Sequence, residues 1–62
     1  MLSGREREVM LLASKGLSNK DIARQLEISE STVAVHLHHI YRKLRIRNRT
    51  ALAVLAANSE SN

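Results

Sequence analysis

The sequence predicts an all-α fold: a four-helix, bundle-like domain with a central helix-turn-helix. Three observations carry this. Apolar residues recur three and four positions apart, the spacing of one helix face. Ser3, Ser18, Ser29 and Asn48 precede these stretches, where a helix start needs a side-chain acceptor for its orphan N–H groups. Gly16 followed by apolar Leu17 reads as a Schellman stop, with the glycine left-handed.

Helix 1 opens at Ser3. Glu6, three residues on, completes a capping box: the serine oxygen takes an orphan N–H and the glutamate reaches back to the cap amide. Val9, Leu12 and Ala13 then repeat at helical spacing, so the helix is expected at about residues 4–15. Ser18 caps helix 2, at about residues 19–26, with Asp21 in its first turn and Ile22, Ala23 and Leu26 as its apolar set. Glu27, Ile28 and Ser29 form a tight turn, with Ile28 expected as a buried plug between two helices. Ser29 caps helix 3, at about residues 30–44. Val33, Leu37, Ile40 and Leu44 make one continuous core stripe along it. Its other face carries Ser31, Ala34, Val35, His38, Arg42 and Arg45, small at the start and basic at the end. A connector from Arg45 to Arg47 leads to Asn48, the cap of helix 4, at about residues 49–57. Leu52, Ala53 and Ala56 supply that helix's core face, and residues 58–62 are expected to form a polar, disordered tail beyond a domain of residues 1–57.

Composition narrows the function. Sixty-two residues make one small domain, without room for a large enzyme core and deep cleft. The chain has no cysteine, hence neither disulfide nor thiolate metal site, and Tyr41 is its one aromatic. No apolar run approaches a membrane span, and no signal peptide is visible, so a reducing cytoplasm is the expected compartment. Residues 1–30 balance five cations against five acids, whereas residues 31–59 hold Arg42, Lys43, Arg45, Arg47 and Arg49 with no acid. Such a basic half fits a polyanion, nucleic acid first and an anionic membrane surface second, although a solvated surface also accounts for it. The short helix 2, the three-residue turn and the longer helix 3 form a helix-turn-helix, whose second helix can enter a DNA major groove while the first crosses the backbone.

Four blocks of residues also resemble one known family. Leu2 to Val9, Gly16 to Ala23, Ile28 to His36 and Lys43 to Arg49 are similar, in order and spacing, to the LuxR-type DNA-binding domain. The stretch His38 to Leu44 is most similar to its response-regulator branch. The resemblance runs from Leu2 to about Ala57 and implies a four-helix domain that binds duplex DNA as a dimer in a bacterial transcription regulator. It also implies base contacts from Ala34, Val35 and His38, and phosphate contacts from Asn19, Lys20, Ser31, Thr32, Arg42 and Lys43. The chain departs from the family at Ala34, where lysine is usual; alanine offers a methyl contact, for instance to a thymine methyl. Ser31 and Thr32 also fit plain capping, and Val35 a partly buried position. Arg45, Arg47 and Arg49 can add electrostatic steering or simply lie on a solvated surface.

Other constellations carry no chemistry. His36 and His39 share a helix face without further ligands, which leaves a metal site without its usual four groups. His36 is expected at the helix 3 interface with a side-chain hydrogen bond, and Tyr41 in the core. Glu6 and Glu8 point to different faces; Glu6 reads as a cap and Glu8 as the partner of a cation from helix 3. No catalytic set or cofactor cradle is visible, so neither catalysis nor a cofactor is expected. Ala51, Val54 and Leu55 leave an uncharged outer patch on helix 4, which the resemblance assigns to a homodimer on DNA.

The leading function is therefore sequence-specific duplex-DNA binding by a regulator's output domain. A sigma-factor-like promoter-reading module and a helical protein–protein adaptor are the alternatives; an amphipathic helix lying on a membrane is a third, opposed by the caps on every helix. Met1 directly precedes the first motif, as though an N-terminal receiver or sensing domain were missing, with a free-standing small regulator as the other reading. RNA polymerase is a further partner the leading function admits.

Overall fold

The computed structural model describes residues 2–60. Its elements are α1 (Gly4–Ser14), α2 (Asn19–Leu26), α3 (Glu30–Leu44) and α4 (Arg49–Glu60), and the expected helix order is the observed one. Among the described residues there is no strand.

Each helix starts on a side chain that accepts from its first turn. Ser3 Oγ accepts from the Glu6 amide while Glu6 Oε1 accepts from the Ser3 amide, closing the capping box. Ser18 Oγ accepts from Asp21, Ser29 Oγ from Thr32 and Asn48 Oδ1 from Ala51. Each cap thus satisfies one orphan amide of its helix within three residues, so helix entry is fixed locally.

The first three helices also end alike. Gly16, at φ 92, lets the Leu17 amide reach back to the Leu12 carbonyl and the Gly16 amide to Ala13. The same return is made after α2, from the Ile28 amide to Ala23, and after α3, from Ile46 to Tyr41. There the left-handed residues are Glu27 (φ 57) and Arg45 (φ 55), side-chain-bearing residues in a region that favours glycine. Each left-handed residue is followed by an apolar one, Leu17, Ile28 or Ile46, which packs against the core half-buried. Ile28 is thus a partial plug rather than a fully buried one, because the reversal leaves one side of it at the surface.

The core is built from Val9 and Ala13 of α1, Ile22 and Ala23 of α2, Val33, Leu37 and Ile40 of α3, and Leu52 of α4. Val9, Ile22, Val33, Ile40 and Leu52 are fully enclosed. Leu44 and Ala53 are half-buried, Ala56 is buried, and Tyr41 packs half-buried against the core. α1 packs on all three other helices, whereas α2 meets chiefly α3 and α4 chiefly α1. The helix-turn-helix is therefore held from behind by α1, and the outer face of α3 is left clear.

Two expectations are corrected. α4 continues through Asn58 and Ser59 to Glu60, past the expected end at residue 57, because no glycine or proline interrupts it. Of the expected tail, Ser61 and Asn62 lie outside the described residues, as does Met1. The helix 3 cation, Lys43, pairs with Glu6 at 2.7 Å, not with Glu8, which instead meets Arg5 on its own helix at 3.7 Å.

Candidate nucleic-acid interface

The outward face of α3 follows from its core stripe. With Val33, Leu37 and Ile40 enclosed, Ser31, Ala34, Val35, His38, Arg42 and Arg45 are all exposed. Val35 is 52% exposed, so its alternative as a partial core residue does not hold. The N-terminal half of this face offers a hydroxyl, two small apolar groups and an imidazole. Its C-terminal half is cationic.

The polar groups at the start of α3 differ in availability. Thr32 Oγ1 lies 2.8 Å from Ser29 Oγ, inside the cap. The Ser31 hydroxyl has no protein partner among the described residues. At the start of α2, Lys20 is exposed and Asn19 half-buried. Asn19 Oδ1 accepts from Arg49 Nη1 at 3.0 Å, which leaves the amide nitrogen of Asn19 as its outward donor.

Arg49 is the residue that sequence reasoning missed. Its second terminal nitrogen donates to the Leu17 carbonyl at 2.8 Å, so its guanidinium joins the start of α4 to the turn between α1 and α2. It is a strut whose position is fixed, and both of its acceptors are neutral. The partners are 30 and 32 residues apart, and no local pattern marks such a bond in the sequence.

Lys43 is likewise tied. Its ammonium donates to Glu6 Oε1, and the Glu6 side chain is buried. Donation from Lys43, then from the Ser3 backbone, outweighs the opposing effect of burial and lowers the Glu6 carboxyl from 4.5 to about 2. The capping carboxylate of α1 thereby anchors the last turn of α3. Arg42, Arg45 and Arg47 are exposed and have no ion-pair partner among the described residues. A shallow hollow of about 330 Å³ lies at His39, Arg42 and Lys43.

The histidines do not converge. His38 and His39 are exposed, with ring centroids 6.1 Å apart, while His36 is half-buried and has no side-chain hydrogen bond among the described residues, contrary to expectation. No group of three or more metal-ligating side chains occurs among the described residues. On α4, Val54 and Leu55 are exposed and Ala51 half-buried. No helix among the described residues is long and apolar enough to cross a membrane.

Comparison with known proteins bears on this surface. The family model described as bacterial regulatory proteins, luxR family, matches residues 1–56. The nitrate/nitrite response regulator protein NarL of Escherichia coli (strain K12) is 47% identical over 53 residues, covering 86% of this chain and 24% of its own. The putative HTH-type transcriptional regulator YhjB of the same strain is 46% identical over 54 residues, covering 87% of this chain and 27% of its own. The monoamine regulon transcriptional regulator of Klebsiella aerogenes is 50% identical over 52 residues, covering 84% and 23%. The chain thus spans about a quarter of the length of these relatives.

Proposed function

Because the chain belongs to the luxR family of bacterial regulatory proteins, whose helix-turn-helix binds DNA, we propose that it is the sequence-reading output domain of a transcription regulator. The start of α3 enters the major groove and reads bases through Ala34, Val35 and His38. The backbone is held by Asn19, Lys20, Ser31, Thr32 and Arg42, with Lys43 contributing from its tether on Glu6. Ala51, Val54 and Leu55 pair two copies on DNA through α4, placing two recognition helices on successive half-sites. Control comes from a receiver or sensing domain N-terminal to this one, and output goes to RNA polymerase in the cytoplasm. The domain performs no catalysis and needs no cofactor.

The observation that carries this reading is the outer face of α3: exposed along its length, free of lysine and arginine where bases would be read, and cationic at Arg42 and Arg45, which have no acidic partner among the described residues, where backbone would pass. Phosphate attraction makes such binding steeply dependent on salt. The test is an amide NMR titration of the labelled chain with duplex DNA at two salt concentrations. Shifts centred on residues 31–42 and on Asn19 and Lys20, weakening as salt rises, are expected; further shifts at residues 51–55 would support pairing through α4. Shifts confined to residues 42–49, with 31–38 silent, would leave only nonspecific attraction and turn the search to protein partners.

A further inference from the structure

Ala34 lines an open recess of about 260 Å³ together with Asn19, Leu37, His38, Tyr41 and Arg49. Its α3 wall sets the methyl of Ala34, the side chain of Leu37 and the ring of Tyr41 beside the imidazole of His38, and Asn19 and Arg49 add polar groups. Arg49, the cation that borders it, is held by donation from both terminal nitrogens to Asn19 Oδ1 and the Leu17 carbonyl, which fixes its guanidinium at the edge of the recess. The exposed reading positions around it, Ser31, Val35 and His38, include none of the long side chains that pair in bidentate fashion with guanine or adenine. A methyl group beside a single acceptor fits this surface, with carbon at Ala34 and a donor at His38 one turn on.

Thymine presents that pair in the major groove, its C5-methyl next to the O4 acceptor. We propose that Ala34 and His38 read a thymine together: the methyl enters the recess against Ala34, and an imidazole N–H of His38 donates to O4. The two residues are four apart on α3, so they stand on one face one turn from each other. This assignment rests on the DNA-binding reading above and adds the base that the site selects.

The test begins by selecting binding sites for the purified chain from random-sequence duplexes. Each strongly selected thymine is then replaced by deoxyuridine, which removes the methyl and nothing else. At one position per half-site, affinity is expected to fall about fourfold, the effect of exposing one methyl-sized apolar group. Ala34→Lys, which fills the recess without weakening the helix, should abolish the difference between thymine and deoxyuridine there. Ala34→Gly should reduce it, with circular dichroism confirming that the variant folds. Recovery of no preferred sequence would overturn the sequence-reading function itself. A preferred sequence insensitive to deoxyuridine, or equally sensitive in Ala34→Lys, would overturn this inference and leave DNA binding standing.

Discussion

Glu6 closes the capping box of α1 and anchors Lys43 at the end of α3, so one carboxylate fixes both a helix start and the angle of its neighbour. Its carboxyl is lowered to about 2 from 4.5. A carboxyl depressed on folding stabilises the fold above its unfolded value, and that contribution is lost as pH falls through the folded one. Thermal melts between about pH 5 and 2 should therefore show declining stability, and Glu6→Gln should be less stable at neutral pH with a flatter decline. Glu27 and Arg45 stand in the left-handed region where glycine costs least. Glu27→Gly is expected to raise stability by roughly 0.5–1 kcal/mol, part of the left-handed penalty being offset by the freer unfolded chain, as read from the urea midpoint.

At the scale of the helix, starts were legible and ends less so. Ser3, Ser18, Ser29 and Asn48 bond within three residues, and their signal is local. Gly16 announces its turn, but Glu27 and Arg45 do not, because nothing about either side chain marks a left-handed backbone. The sequence pattern ends α4 short, at residue 57, since polar residues after an apolar stretch read as a tail whereas they continue the helix to Glu60. The exposed face of α3 was legible from its periodicity. The tethering of Lys43 and Arg49 was not, since it depends on how α1, α3 and α4 meet. Asn48→Ala removes the acceptor for the Ala51 amide and should cost about 1 kcal/mol. Arg49→Ala should go further, loosening the turn before α2 as well; amide exchange faster at residues 17–20 than in the parent would register it.

For the whole molecule, the distinction between free and tethered cations predicts how DNA affinity responds to salt. Each phosphate neutralised adds about 0.9 to the slope of log affinity against log salt. Arg42→Ala should lower that slope by about one unit. Lys43→Ala should lower it less and reduce stability instead, as the buried Glu6 loses its partner; salt titrations of both variants beside their melting curves separate the two effects. The central position of α1 carries a consequence for synthesis. Among the core residues Val9 and Ala13 leave the ribosome before the others, yet Leu52 and Ala56, on the helix that packs against α1, follow all of them. Until that final segment is out, the first helix has an apolar flank with nothing to cover it. A nascent chain halted before Leu52 should therefore remain open to protease, and the domain should close in one step once α4 has cleared the exit tunnel.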